Sequence, residues 1–514
     1  MDIIGYKTIP QLLKEKVDLY PEKTFLIFED SSGIRESVTY SETWELLNRM
    51  RSVLKSKGIE KGDKVLLHIP NTLEFFYSWF AITSMGAVMV PTNILSTKDE
   101  MEYLVKHSEA KLIITEYEYR EKFHYDDEKG LEMIFIRYKE SEWEDISLDY
   151  LLSVSAVDEM MDHVTSDDIA AILYTSGTTS KPKGVLITHA NYIFAGEVMS
   201  KMLKMSEDDR GFVVLPMFHG NGQYYLSMPL LTVGGSIAVT ERFSASKYFK
   251  QASEMEATIG SLFAAPIKMI LRKENNAVSD HRLRNIIFAQ SVTKEQLSQF
   301  EASYHVPLLQ IYGMTETIGT PLMNPVDGVR KNMSIGRPSI GYEVLLIDEE
   351  GHEVAQGEVG QIVVKGKQGR TLMKGYFNNE KATEETLKHD WLYTGDYGKI
   401  GQDGYFYFVD RMKDMIKRAG ENIATSEVEA VINSHPSIAD SAVIGVPDGI
   451  RDVAVKAFII PKEGVSVSEK ELIDYCAKRL AKFKVPEFVE IVKDFPRTSV
   501  GKIQKNELRH IRAN

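Results

Sequence analysis

A chain of 514 residues is longer than one hydrophobic core usually supports, so at least two domains are expected. A formal net charge of −13 argues against a general nucleic-acid binder, although a local basic patch for an anionic cofactor remains compatible with it. The single cysteine, Cys476, excludes an intramolecular disulfide and a multi-thiolate metal site; it falls in the apolar phase of a predicted helix and fits a reducing, cytoplasmic setting.

The opening segment, MDIIGYKTIPQLLKEKVDLYPEK, spreads its charges and has no apolar stretch ending in small residues, so it does not read as a signal peptide. From there to about residue 240, helical periodicity alternates with short apolar runs, as in TWELLNRMRSVLKSKG followed by DKVLLHI. Phe75 to Thr97 carries no charge, but Gly86, Pro91 and several hydroxyl residues interrupt it. It predicts a buried helix turning into a strand, with no stable membrane insertion. Further strands are predicted at Lys111 to Thr115, Ile169 to Tyr174, Gly211 to Leu215 and Ser236 to Thr240, with a helix over Asn191 to Leu203. Parallel strands with crossover helices are the economical arrangement, so the fold class is α/β, helices covering the sheets of a large N-terminal domain.

Between about Ser339 and Asp410 the pattern changes to short alternating runs with Gly-rich turns, EVLLID, EEGHEV, GQIVVKG and GKIGQDGYFYFVD, which predict a barrel-like antiparallel subdomain. A smaller α+β unit follows. Ser426 with Glu429 and Ser468 with Glu471 have capping-box spacing before its two helices. Domains are therefore expected over 1–410 and 411–514, the second small.

The densest chemical signal is Tyr174 to Gly184, YTSGTTSKPKG. Backbone N–H groups around Gly177 and Gly184 can form an anion-binding nest, with hydroxyls from Thr175, Ser176, Thr178 and Thr179 and charge from Lys181 or Lys183. The spacing is not that of a Walker loop, and Pro182 blocks that frame. A solvated surface loop is the other reading. IYGMTET, residues 311–317, offers the flat ring of Tyr312, close backbone approach at Gly313, a phosphate donor in Thr315 and a carboxylate in Glu316. One carboxylate beside phosphates suits Mg²⁺, which keeps waters and takes substrate oxygens, while a loop with a capping Thr and an exposed Glu fits the same residues. YTGDYG places Asp396 after a glycine turn, where a carboxylate can accept two ribose hydroxyls, and Arg411 lies fifteen positions on; an ordinary tight turn also uses Asp. PRTSVGKIQK sets Lys502 after a glycine near the C-terminus.

The order and spacing of YTSGTTSKPKG, YGMTET, YTGD, DRMKDMIKRAGENI and PRTSVGK resemble those of the adenylate-forming family of acyl-CoA synthetases, adenylation domains and luciferases, over nearly the whole chain. MDIIG, SGTTSKPKGVLITHANYIFAG, FVDRMKDMIKRAGENI and AKFKVP look most like its crotonobetaine/carnitine-CoA ligases. The resemblance implies ATP, Mg²⁺ and coenzyme A as cofactors. It implies that Thr175, Ser176, Gly177, Thr178, Thr179 and Lys183 hold the β- and γ-phosphates. Tyr312, Gly313 and Met314 would belong to the nucleotide site, with Tyr312 stacking near adenine, Thr315 and Glu316 serving the α-phosphate and Mg²⁺, and Asp396 and Arg411 holding the ribose. Lys502 would bridge the substrate carboxylate and the α-phosphate, an electrostatic task. Lys413 matches the family's hinge, which implies that the small C-terminal domain is a mobile lid, and the loop from Lys417 through Gly420 and Glu421 to Asn422 would approach the CoA tunnel. His219, in PMFHGNG, matches the position beside the acyl carboxylate, with a structural histidine as the alternative. One departure stands out. Where many relatives have a small Gly/Ala-rich turn, this chain has IIFAQSVT, so that Gln290 and Ser291 are expected to contact adenine.

The expected function is ATP-dependent ligation of a small carboxylic acid to CoA through an acyl-adenylate, of the crotonobetaine/carnitine-CoA ligase type. A trimethylammonium group needs aromatic faces or a carboxylate, and Tyr192, Phe194, Tyr224 and Tyr225 are candidates unless they are core aromatics. A medium- or long-chain fatty-acyl-CoA ligase, an enzyme that loads a carrier protein and an inactive nucleotide-binding scaffold share the same motifs. The resemblance also implies a homodimer.

Overall fold

The computed structural model describes residues 4–123, 131–137, 147–157, 163–175, 181–273, 280–289, 292–412, 414–418, 421–448, 452–497 and 503–509. Two large, mostly parallel sheets organise the N-terminal domain. The first has nine strands. Leu308–Tyr312, Asn285–Ala289, Ile259–Phe263, Arg210–Val213, Ser236–Thr240 and Thr24–Glu29 run parallel in that order, with antiparallel strands at both edges. The second has seven. Ile169–Thr175, Val88–Pro91, Lys64–His68, Ala110–Glu116 and Glu132–Ile136 are parallel, while Lys183–Thr188 and Gly375–Tyr376 close one side antiparallel.

Alternation across a pleat explains the apolar runs. Ile287 points into the main core, whereas its neighbours Ile286 and Phe288 face a second core on the other side of the nine-stranded sheet. The uncharged stretch of the sequence becomes the helix Leu73–Ser84 followed by the strand Val88–Pro91, and its rings Phe75, Phe76, Trp79 and Phe80 are fully buried. Many helices of this domain start at a threonine. Thr8, Thr39, Thr97, Thr188 and Thr293 each cap a helix reciprocally with the side chain three residues on, which satisfies N–H groups left without partners in the first turn. Among the described residues no helix is long and apolar enough to cross a membrane.

The β-rich segment is antiparallel, but its pairings do not close on themselves. Glu343–Ile347, Val359–Lys365, Trp391–Ile400 and Leu387–Lys388 form an open sheet with Phe406–Arg411 on Trp391–Ile400. EEGHEV is a turn fastened by a bridge between Ile347 and Glu353 rather than a strand, because two glutamates and a glycine offer nothing to bury.

The C-terminal domain has its own cores. The hairpin Ile416–Arg418 and Glu421–Ile423 leads to the helix Thr425–Asn433, then to the strands Ile438–Asp448, Asp452–Pro461 and Phe488–Ile491, with the helix Glu469–Ala477 packed on them. Cys476 is buried in that core, and burial pushes its thiol up to about 11. Ser468 caps its helix as its sequence suggests. The Ser426–Glu429 box does not form. The helix starts two residues earlier, with its cap at Ala424 rather than Ser426, and the free N–H groups of Thr425 and Ser426 go to the Asp410 carboxylate, which also accepts from Thr425 Oγ1 at 2.8 Å. A carboxylate at a helix N-terminus is favoured twice, by hydrogen bonds and by the dipole. Glu429 is thereby left for Lys505 Nζ at 2.7 Å.

Candidate functional site

The parallel strands of both sheets deliver their C-terminal ends to one region, the usual place for ligands in open α/β sheets. Thr175 ends one strand and pairs across its hairpin with Lys183. Ser176, Gly177, Thr178 and Thr179 lie outside the described residues. The hairpin on either side of them is firmly held. Tyr103 Oη donates to Pro182 O at 3.0 Å, and Tyr174 Oη lies 2.8 Å from His107 Nδ1. A side chain at Gly184 would meet Ile172 Cγ2 at 2.7 Å, so glycine is required there for packing. Lys183 sends its ammonium over the Tyr376 ring, 4.8 Å from the centroid.

Tyr376 connects this hairpin to the next motif. Its hydroxyl donates to Glu316 Oε1 at 2.8 Å, and its strand pairs with Lys183–Thr188 through Val185. Met373 N donates to Glu316 O at 3.0 Å and Phe377 N to Gly184 O at 2.7 Å, so one strap fastens both the Glu316 segment and the hairpin carrying Lys183. Glu316 and Thr315 are buried, and burial raises the Glu316 carboxyl above its ordinary range. Such a group is ionised most readily beside a cation. A single buried carboxylate is a donor set that fits an ion drawing most of its ligands from water and phosphate, as Mg²⁺ does. Gly313 has no room for a side chain: a Cβ would lie 2.6 Å from Gly319 O and 3.1 Å from Tyr225 Oη. Met314 is half-buried and its N–H is taken by Thr317 Oγ1 at 3.0 Å.

Tyr312, Asp396 and Arg411 form one network. Asp396 and Arg411 are cross-strand partners with Arg411 Nε 3.5 Å from Asp396 Oδ1, and Tyr312 Oη donates to Asp396 Oδ2 at 2.8 Å. Burial, reinforced by the Asp396 charge, pushes the Tyr312 phenol well above its usual value and keeps it a donor. The glycine before Asp396 sits not in a turn but at a bulge within the strand Trp391–Ile400, where Gly395 has φ +72°.

His219 is half-buried, its ring perpendicular to that of Phe263 with centroids 5.9 Å apart. Asn221 N donates to Nδ1 at 3.3 Å, which assigns the proton of the neutral ring to Nε2 and makes that nitrogen a donor. A π-helical turn, Asn221–Ser227, follows. Of the four aromatic candidates, Tyr192, Phe194 and Tyr224 are deep in the main core: Tyr192 packs on Trp79 and Tyr224, and Phe194 on Tyr342. Tyr225 is also buried, beside Gly313.

Gln290, Ser291, Lys413, Gly420 and Lys502 lie outside the described residues. The backbones of Lys417 and Glu421 belong to the 416–423 hairpin, paired with Asn422 and Arg418. Lys484 is committed to Glu427, 2.7 Å away. Sequence reading missed Tyr376, whose only local sign is the glycine before it, and the capping role of Asp410.

Comparison with known proteins decides the family. The AMP-binding enzyme model matches residues 13–377, and the AMP-binding enzyme C-terminal domain model matches residues 427–502. The chain belongs to the AMP-binding enzyme family. It is 38% identical to the crotonobetaine/carnitine–CoA ligase of Proteus mirabilis over 99% of this chain and 100% of that one. Two solved members of the family superpose over both domains. ATP-bound MatB from Rhodopseudomonas palustris gives a TM-score of 0.88 at 27% identity, covering 98% of each chain. The anthranilate CoA ligase AuaEII in complex with anthranoyl-AMP gives 0.89 at 26% identity, over 98% of this chain and 97% of that one. Within this AMP-binding enzyme, the networks around Glu316 and Asp396 both border the C-terminal end of the strand Leu308–Tyr312.

Proposed function

We propose that this AMP-binding enzyme is an AMP-forming acid–thiol ligase that activates a small carboxylic acid as its adenylate and transfers the acyl group to CoA. The observation that carries the reading is the pair of buried carboxylates around Tyr312. Asp396, with Tyr312 and Arg411, is built to hold a diol, and Glu316, with Tyr376 and Lys183, is built to meet a polyphosphate. Glu316 would hold Mg²⁺, which supplies charge neutralisation between phosphate oxygens.

In the first step Lys183, Thr175 and the hydroxyls of Ser176, Thr178 and Thr179 bind the leaving β- and γ-phosphates. Thr315 donates to the α-phosphate. His219, through Nε2–H, donates to the acyl carboxylate as it attacks, and Lys502 supplies positive charge where carboxylate and α-phosphate meet. Water is excluded by the packed aromatic floor of Tyr224 and Tyr225. In the second step we assign Lys413, just past a domain boundary at residue 410, as the hinge, and the hairpin carrying Lys417, Gly420 and Glu421 as the wall of the thiol path. Gln290 and Ser291 border adenine.

The similarity to the Proteus ligase over the full length supports a betaine acid such as crotonobetaine or carnitine as the substrate. The packing of Tyr192, Phe194 and Tyr224 against other rings, rather than around an open cage, supports an uncharged acyl chain as the second reading. The test is CoA-dependent pyrophosphate release with crotonobetaine, carnitine and γ-butyrobetaine beside straight-chain acids of matching and greater length. Preference for the betaines upholds the first reading, and preference for the alkyl acids replaces it with the second.

A further inference from the structure

Lys268 lies on the helix Ala264–Leu271 of the large domain, with Nζ 3.3 Å from Oδ1 of Asp440 on the strand Ile438–Asp448 of the small one. This ion pair joins the two domains away from the point where the chain crosses; at the crossing itself Arg411 pairs with Asp396, and Thr425 and Ser426 bond to Val409 and Asp410. Asp440 is nearly buried. Its other oxygen, Oδ2, accepts from Arg497 Nη2 at 2.6 Å, and Oδ1 also takes the N–H of Ser441 at 3.1 Å. One carboxylate thus sits between two cations, one from each domain.

The place where this chain of charges ends gives it meaning. Arg497 forms a bridge with Ile503, and Gln504 N donates to Pro496 O at 2.8 Å, so the two ends of the segment containing Lys502 run side by side. The downstream end is tied in turn, Lys505 to Glu429 at 2.7 Å and to Thr425 Oγ1 at 2.7 Å. Through Asp440, the upstream end is tied to the large domain. This is the arrangement that superposes on the ATP-bound and adenylate-bound relatives described above. If the small domain turned away, Asp440 would keep Arg497, but Lys268 would lose the acceptor that holds its ammonium.

We propose that Lys268 and Asp440 are positioning residues: their ion pair holds the base of the Lys502-bearing segment against the large domain for acid activation and must open before acyl transfer to CoA. The proposal rests on the two-step function above. Solvent screening limits what a partly exposed pair contributes, so its loss should shift the balance between arrangements about threefold to tenfold.

Lys268→Met keeps most of the stem and removes the charge, while Lys268→Arg keeps the charge. Spin labels at the exposed positions Ile34→Cys and Val465→Cys, one in each domain, report the arrangement by pulsed dipolar distance measurement, with native Cys476 buried. With ATP present, the parent protein should give one dominant distance, Lys268→Met a second population about threefold to tenfold larger than in the parent, and Lys268→Arg the parent distribution. In parallel, acyl-adenylate formation without CoA should slow by the same factor in Lys268→Met, while acyl transfer from preformed adenylate stays at or above the parent rate. Unchanged distances in Lys268→Met, or equal slowing of both steps, would overturn the proposal. A parent protein inert with every acid would instead defeat the functional reading, and the distance distributions would still decide the role of the ion pair.

Discussion

The two sides of the candidate site are held by different physics. On the large domain, Glu316 and Asp396 are fixed in buried networks in which each carboxylate receives a tyrosine hydroxyl at 2.8 Å and the tyrosines are themselves embedded in strands. The ends of the Lys502 segment are tied instead by ion pairs, those of Lys268 on the large domain and Arg497 on the small one with the nearly buried Asp440, and that of Lys505 with Glu429. Hydrogen bonds to buried charges are strong and costly to leave unmade, whereas an ion pair whose cation keeps solvent contact, as at Lys268, exchanges more readily. The difference suits the proposed function, in which the nucleotide half would stay in place while the Lys502 half is brought in and withdrawn.

Substitutions should fall into the same two classes. The largest effect is expected for Lys502→Ala: adenylate formation should drop about 10²- to 10³-fold, the cost of removing a preorganised charge from the reacting centre, with acyl transfer from supplied adenylate much less affected. Single-turnover assays of the two steps check this, and an equal loss in both would erase the contrast between the two sides. Next is Tyr376→Phe, which keeps the ring under Lys183 and removes one hydrogen bond to a buried carboxylate, about 1.5 to 3 kcal/mol. The Mg²⁺ concentration for half-maximal adenylation should rise about tenfold or more at that cost. Calorimetric titration of a non-hydrolysable ATP analogue with and without Mg²⁺ should show weakening only in its presence. Asp396→Asn should weaken ATP binding about tenfold with a smaller change in kcat, since Tyr312 retains an acceptor but the ribose loses a charged one.

The smallest expected effect is at Cys476, which lies in the core of the small domain, away from both networks. Its thiol is raised by burial to about 11, so the folded form favours the protonated group. The unfolded chain loses that proton first. This contribution to stability is therefore complete below the ordinary thiol range and disappears as pH rises through about 11. Iodoacetamide at pH 8 should leave activity intact, and alkylation should track unfolding in a urea titration.

Much of this was legible in the sequence because it depends on local rules. The buried parallel strands read as apolar runs, the Phe75 helix as an uncharged stretch broken by Gly86 and Pro91, and the nucleotide motifs as dense clusters of Gly, Thr and Lys. What escaped depends on partners distant in the chain. Asp410 caps a helix that begins fifteen residues later, and it displaces the Ser426–Glu429 box that local spacing favours, since a carboxylate serves that helix end better. Tyr376 gains its role from a glutamate sixty residues upstream, which no periodicity announces. The β-rich segment has the alternation of a barrel, but closure depends on edge pairing that alternation does not encode.

The most direct test of the account is a single-turnover reaction with ATP, Mg²⁺ and crotonobetaine, quenched before and after CoA is added. The account predicts pyrophosphate and an acyl-adenylate in the absence of CoA, then AMP and an acyl thioester once CoA is present, with a matched alkyl acid taking the place of crotonobetaine if the second substrate reading holds. Release of ADP and phosphate, or no adenylate from any acid of either class, would contradict it.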